Sequence, residues 1–527
     1  MVAGFTCSNA TAQTSNSLSA SKPLYSNDQI AYQLTNVFWG GSDRSFNVGV
    51  GGSISVNITA LTFAGQNLAR QALELWSDTT GLSFSFTSGG AQITFDDGDA
   101  WSAWNWSSTS GGTIYSSNTN VGTSWVGYYG SGINTYSLQT YVHEIGHALG
   151  LGHAGNYNGS ASYGTDNHYV NDSWQATVMS YFSQPENTYI NASYTYAITP
   201  MVADIIAIRN LYGTTGTTRT GNTTYGDNAN SGDIMQTISS MKSYISYTII
   251  DDGGIDTLDF SSYGGSQRID LREEAISSVR GYTGNLIIAR GSVIENAVGG
   301  SGNDTLVGNN GANKLEGELA NDEIRGYGGS DRLYGGNGDD ILRGDDGNDI
   351  LRGDAGADRL DGGSGNDWAY YTNSDAAVTV NLSDAAAETG GHAAGDVLMN
   401  IERVVGSNYS DTLVGDDGDN QLRGHGGNDH LYGGNGDDIL RGDDGNDTLT
   451  GGAGNDTFIF VSEGDSDIIA DFESGADLIY ISLAISSFAE LSISQDNLNT
   501  KIEFLTNAIT ILYQDQANIT SDDFIFV

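Results

Sequence analysis

The sequence predicts an α+β domain followed by an all-β parallel roll with a β-rich C-terminal cap. Three observations carry that expectation. Leu138, Tyr141, Val142, Ile145 and Leu149 recur with the period of a buried helical stripe. Near that helix, residues 82–86 and 91–95 alternate apolar and polar side chains, as half-buried strands do. Farther on, a Gly- and Asp-rich unit repeats every nine residues in two long arrays, the mark of a solenoid of turns and short strands.

Taken in order, residues 1–22 are rich in Ser, Thr, Asn and Ala and read as a disordered tail. A first domain spans 23–213. Residues 67–76 form an amphipathic helix with Leu68, Ala72, Leu75 and Trp76 on one face. Residues 78–81 read as a turn, 96–106 as an acidic, aromatic loop and 112–117 as a further strand. Pro200 opens a helix over 201–212, where its missing N–H costs nothing. The Thr- and Gly-rich stretch 214–226 is a domain boundary, and 214–298 is a linker with the start of the roll.

The chemistry of the first domain gathers in His143-Glu144-Ile145-Gly146-His147-Ala148-Leu149-Gly150-Leu151-Gly152-His153. On a helix, His143 and His147 lie at i and i+4, on one face. Gly150 ends the helix, so the chain can turn and bring His153 to the same point. Three neutral imidazoles with an open fourth position suit a catalytic zinc ion. Glu144 sits beside them as a general base, then a general acid.

The repeats have the form Gly-Gly-x-Gly-x-Asp-x-U-x, with U apolar. Eight units fill 299–370 and six more fill 406–459. Asn313 and Asn420 replace the aspartate in one unit of each array, and Glu318 and Ala320 weaken a third. The glycine half is a turn whose carbonyls and aspartate face a shared groove, and calcium is the cation that such oxygens suit. Without an ion the carboxylates repel, so the roll is expected to loosen without calcium. Residues 371–405 read as a β spacer that continues the roll without ligands, and 460–527 as the cap.

These motifs resemble the metzincin peptidases, and within them the serralysins. The second element of that resemblance is Thr177-Val178-Met179-Ser180-Tyr181-Phe182, a methionine turn followed by Ser-Tyr, and Met201-Val202-Ala203-Asp204-Ile205-Ile206-Ala207-Ile208 resembles the helix that closes the serralysin peptidase domain. The resemblance implies an α+β metzincin catalytic domain followed by an all-β parallel β-roll (RTX) domain with a β-rich cap. It implies a secreted zinc endopeptidase of broad specificity, made as a zymogen whose propeptide is the tail. Zinc would be held by His143, His147 and His153, and Tyr181 would approach it and steady the oxyanion. The strand at 112–117 would be an edge that pairs with the substrate backbone. A boundary calcium site would use Arg219, Gly221, Asp251, Gly253, Gly254 and Asp256, and Glu295 is a further implied calcium ligand. Further implied calcium ligands in the first array are Gly300, Gly302, Asp304, Asp322, Gly326, Gly328, Asp331, Gly335, Asn337, Asp340, Gly344, Asp346, Asp349, Gly353, Asp358, Gly362 and Asp367. In the second they are Asp411, Asp429, Gly433, Asn435, Asp438, Gly442, Asp444, Asp447, Gly451 and Asp456. Asp522-Asp523-Phe524-Ile525-Phe526-Val527 looks like the signal read by ABC-type secretion machinery. Fourteen units in two arrays exceed what the family usually carries.

Composition excludes several classes. A net charge of -45, from 65 acids against 20 bases, argues against nucleic acid and anionic membranes as partners. No apolar run is long enough to span a bilayer, and no charged region followed by an apolar core opens the chain as in a Sec signal. One cysteine, Cys7, allows no intrachain disulfide and reads as a free thiol. Nothing suggests more than a monomer acting on protein or peptide substrates. A lipase would need a Gly-x-Ser-x-Gly elbow, which Gly159-Ser160-Ala161-Ser162-Tyr163 does not supply. A calcium-dependent adhesion protein with a relic site would have little reason to keep Glu144. Three prolines and 73 glycines are compatible with a cold habitat, though the repeats explain most of the glycine.

Overall fold

The structure is a computed structural model that describes residues 22–384, 386–461 and 464–527. The N-terminal tail with Cys7 lies outside them. The first domain runs α1 (Asn27–Tyr32), β1 (Ser45–Phe46), β2 (Ser53–Asn57), α2 (Phe63–Thr80), β3 (Ser83–Phe86), β4 (Ile93–Asp96), β5 (Ala103–Ser110), β6 (Thr113–Val121), α3 (Thr123–Tyr129), α4 (Tyr136–Ala148) and α5 (Val202–Tyr212). Its sheet has the order β1-β6-β4-β2-β3, with β5 paired to β6. All its pairs are parallel except β5–β6.

Three local expectations need correction. The helix at 67–76 is longer, because α2 starts from a Thr62 cap and runs to Thr80, with Gly81 left-handed at its end. Residues 78–80, expected in a turn, are its last turn. They stay helical because Thr79 and Thr80 are buried with the Leu68–Trp76 face. The expected loop 96–106 is half strand. Trp104 and Trp106 are exposed, so no apolar-inward alternation marks β5, yet Asn105 Nδ2 locks it to β6 through Ser117 Oγ at 2.7 Å and Thr119 Oγ1 at 2.8 Å. The segment 112–117 is therefore not an edge. It lies in β6, inside the sheet, and the free edge belongs to β5.

The second domain is a parallel roll. One sheet of thirteen strands runs its length, facing one sheet of six strands and one of eight. Pairing advances by eighteen residues, as in Leu315↔Leu333 and Leu333↔Leu351 on one face and Ile324↔Leu342 and Leu342↔Leu360 on the other. One coil is thus two nine-residue units, and the apolar residue of each is fully buried between the sheets. At the spacer the thirteen-stranded sheet continues without a gap, since Trp368 pairs with Arg403 and Tyr370 with Val405. The opposite face changes there from the six-stranded to the eight-stranded sheet. Parallel pairing goes on past residue 459, with Thr457↔Leu478 and then Ile479↔Phe524. Past residue 459 the antiparallel pairing is the meander Ser492–Asp496, Asn499–Phe504 and Asn507–Ile511. Among the described residues no helix is long and apolar enough to cross a membrane.

Candidate metal centre

α4 begins at a Thr135 cap, whose side chain accepts from Leu138 N, and its apolar stripe is fully buried. Gly150, at φ +113°, turns the chain, and a Cβ there would meet the Arg44 carbonyl oxygen at 1.9 Å. That turn carries His153 back over the helix. The ligand atoms of His143, His147 and His153 all lie within 4.8 Å of one another. His143 Nδ1 faces Val178 O at 2.8 Å and His147 Nδ1 faces Leu151 O at 2.8 Å. A carbonyl can only accept, so each Nδ1 carries the proton and each Nε2 keeps its lone pair. Burial holds His143 down at about 4 and His147 at about 3, and pushes His153 well below the usual range. His147 Nε2 and His153 Nε2 stand 3.0 Å apart. With His143 and His147 presenting Nε2 lone pairs and His153 drawn up to them, the trio fits a cation between them.

Glu144 is buried beside the trio, and burial pushes its carboxyl up to about 8. The Tyr181 ring stands edge-on to His153, with centroids 4.6 Å apart, and its Oη accepts from Gly159 N at 3.3 Å. Met179 is fully buried below, and a Cβ on Gly146 would meet its Sδ at 2.7 Å. A glycine in that helical turn lets the methionine floor rise close to the metal face. A cleft of about 700 Å³ opens over the trio, lined by Trp101, Ala103 and Trp104 on the β5 side and by Tyr136, Gln139 and Thr140 of α4.

Two carboxylates that sequence reasoning missed hold this arrangement. Asp204 is fully buried and accepts from Thr177 Oγ1 at 2.5 Å, Val178 N at 2.8 Å and Met201 N at 2.9 Å. It fixes the N–H of Val178, the residue whose carbonyl faces His143. Its signal was legible as the sole charge in the apolar run 201–208. Asp172 is fully buried and accepts from Tyr157 Oη at 3.1 Å and Ser180 Oγ at 2.7 Å, tying the loop after His153 to the methionine turn. Nothing in its loop sequence marks it.

In the second domain the boundary group comes together. Thr223 N donates to Asp256 Oδ1 at 2.6 Å, Gly253 N to Asp251 Oδ1 at 3.1 Å, and Asp256 N to Glu295 Oε2 at 2.7 Å. A Cβ on Gly254 would meet Gly221 O at 2.6 Å. The Arg219 side chain is engaged elsewhere, with Asp78, with Asp233 at 2.7 Å and with Ile250 O at 2.8 Å. Only its backbone is left for an ion. Along the arrays each aspartate becomes a rung. Asp304 N donates to Asp322 Oδ1, Asp322 N to Asp340 Oδ1 and Asp331 N to Asp349 Oδ1. Asp411, Asp429 and Asp447 repeat the pattern, as do Asp438 and Asp456. The other oxygen, Oδ2, of Asp322, Asp331, Asp340, Asp349, Asp358, Asp367, Asp429, Asp438 and Asp447 is buried without a partner. It lies beside the first glycine of its own unit, as Asp340 Oδ2 does beside Gly335, Asp349 Oδ2 beside Gly344 and Asp358 Oδ2 beside Gly353. The side chains of Asn337, Asp346, Asn435 and Asp444 are exposed, so these positions offer the groove only their backbone.

Residues 214–524 match the family model described as Peptidase M10 serralysin C terminal. Residues 14–207 match Metallo-peptidase family M12B Reprolysin-like. Serralysin C of Dickeya chrysanthemi is 40% identical over 312 residues, which is 54% of this chain and 64% of its own. A serralysin of Photorhabdus luminescens is 45% identical over 178 residues, 33% of this chain and 36% of its own. The chain therefore spans less than two thirds of these relatives' length. An extracellular lipase, LipA from Serratia marcescens, covers 43% of this chain and 40% of its own at 18% identity, and its TM-score of 0.18 carries no argument.

Proposed function

This chain belongs to the serralysin family, and from that premise we propose that it is a secreted zinc endopeptidase of broad specificity, stabilised by calcium along its roll. The observation that carries the reading is the meeting of three imidazoles, with ligand atoms within 4.8 Å of one another, beside a buried carboxylate. His143, His147 and His153 would hold the metal. Zinc, when bound, supplies Lewis-acid polarisation of a carbonyl and acidifies water. A nearby dication also favours the ionised carboxylate, so Glu144 drops from its raised value and becomes a base. Glu144 takes the proton of the attacking water and later gives it to the leaving amine. Tyr181 exchanges its Gly159 contact for a hydrogen bond to the developing oxyanion. The free edge of β5, rather than residues 112–117, aligns the substrate backbone as an added strand. Backbone pairing leaves most side chains unread, which suits broad tolerance.

The unpartnered Oδ2 atoms of the rungs support the calcium reading, together with carbonyls of the glycine turns. A roll that needs calcium would stay unfolded in a cytosol poor in it. It could then leave as an extended chain through ABC-type machinery and fold outside as a monomer. The tail 1–22 acts as propeptide in this reading. The test is casein cleavage in millimolar calcium by the wild type and by Glu144→Ala, with zinc measured on both. The reading expects the wild type to cut, and the variant to hold zinc without cutting. Failure of both to cut, with zinc bound, would discard it.

A further inference from the structure

The spacer was expected to carry no ligands, yet it supplies two rungs. Asp358 N donates to Asp396 Oδ1 at 2.8 Å across a separation of 38 residues, and Asp367 N to Glu402 Oε2 at 2.8 Å across 35. Within the arrays the same bond spans 18, as from Asp349 N to Asp367 Oδ1, and it stretches to 20 and 21 only where the second array meets the cap, at Asp447 and Asp456. The inserted chain sends Thr379–Asn381 into the eight-stranded sheet beside Thr412–Val414, and the ladder closes across it.

The second rung has the full geometry of a regular one. In a regular coil, a Cβ on Gly344 would meet Asp349 Oδ2 at 2.2 Å and Gly362 O at 2.4 Å. One coil later, a Cβ on Gly362 would meet Asp367 Oδ2 at 2.6 Å and Asn400 O at 2.2 Å. Asn400 has φ 50°, in the left-handed region that asparagine tolerates, and this aims its carbonyl where a glycine carbonyl stands elsewhere. Asp367 is fully buried and its Oδ2 has no partner. Glu402 is half-buried and close enough to raise the Asp367 carboxyl, which burial already pushes up to about 6. Arg403 lies over the Trp368 ring at 5.4 Å, and among the described residues it forms no ion pair with either acid. Arg403 acts on Asp367 only from a distance, as the last of the influences on its carboxyl, so no contacting cation neutralises the pair.

We propose that Asp367, Glu402 and the Asn400 carbonyl hold a calcium ion where the two arrays join, at a site the nine-residue pattern does not mark. The site deepens the calcium reading above and rests on it. Two carboxylates and a carbonyl are the hard oxygen set that calcium prefers, and the ion offsets a repulsion otherwise left in the core. The consequence is one continuous cation groove, so the arrays fold as a single roll rather than two.

The experiment counts calcium on the intact chain by native mass spectrometry after chelation and reloading. Glu402→Gln keeps the size of the side chain and lies outside the zinc cleft. Asp340→Asn removes a regular rung as a control. Trp368 is the only tryptophan after residue 298, so terbium bound here should luminesce through it. The expected result is one ion fewer in Glu402→Gln than in wild type, with weaker tryptophan-sensitised terbium emission that Asp340→Asn leaves in place. A full count in Glu402→Gln beside a loss in Asp340→Asn would overturn the junction site and leave the array reading intact. A wild type that binds no calcium would overturn both. Should Glu402→Gln misfold, wild-type emission no stronger than that of Trp368→Phe decides against the site.

Discussion

The two halves of the molecule solve the same problem, crowding of metal-seeking groups, in opposite ways. In the first domain the three imidazoles come from one helix and the turn after it, but Val178, Asp204 and Leu151 hold them from elsewhere. No contact is used twice. In the roll one contact recurs, a backbone N–H on an acid one coil ahead, which within each array lies eighteen residues on. The difference teaches where stability resides. Burial makes the imidazoles neutral, which the first domain can tolerate without an ion. Each coil buries two apolar side chains, worth about 1.5–3 kcal/mol apiece, against two carboxylates whose desolvation costs several kcal/mol each. The desolvation matches or exceeds the apolar gain, so under the calcium reading the cation would decide whether a coil forms.

Four experiments would break or sharpen that contrast. The largest effect is expected from chelating calcium. The roll should lose amide protection in hydrogen exchange while α2 and α4 keep theirs; equal loss in both halves would erase the distinction. Next, Tyr181→Phe should cut kcat by roughly 10²-fold, the worth of one oxyanion donor, at an unchanged melting temperature. A smaller effect belongs to Asp204→Asn, which keeps shape but weakens the acceptor that orients the Val178 peptide. Zinc affinity, read by competition with a chelator, should fall about 10–100-fold, the usual cost of losing a residue that positions a ligand. Unaltered zinc affinity would make Asp204 a core residue only.

The smallest effect is a pH dependence with opposite signs in the two states of the roll. Burial pushes Asp340 and Asp429 up to about 8, and Asp322, Asp331 and Asp438 up to about 7. The ion-free fold thus binds more protons than the unfolded chain, so its stability falls as pH rises from about 4 through these values. With calcium the carboxylates must ionise, and the stabilisation by the ion grows over the same window. Melting scans at pH 5 and 8, with and without chelator, should show the two trends diverge; a chelated roll that melts higher at pH 8 would contradict the raised carboxyls.

Sequence made the repeated half nearly transparent and the unique half only partly so. His143, His147, His153 and Glu144 were legible because one helix and the turn after it place them, and the rungs because their spacing is constant within each array. β5 was hidden because Trp104 and Trp106 face solvent, leaving no inward apolar pattern. Asp172 and Asp204 act through loops folded over long distances, which no local window contains. Glu402 and Asp396 escaped for the converse reason. They obey the rule of the roll in space while breaking its period along the chain.

The eighteen-residue offset also governs how such a molecule can change its length. Removing one whole coil lets every strand find an equivalent neighbour, so the roll can shorten or extend in quanta. Removing nine residues would send each later strand to the opposite sheet and part the rungs from their partners. The extra chain between Asp358 and Asp396 marks a third route, a splice in which an added segment joins the opposite sheet while the stack keeps count. Length in this architecture is a discrete variable, and a lineage edits it as one edits a ladder, by the step.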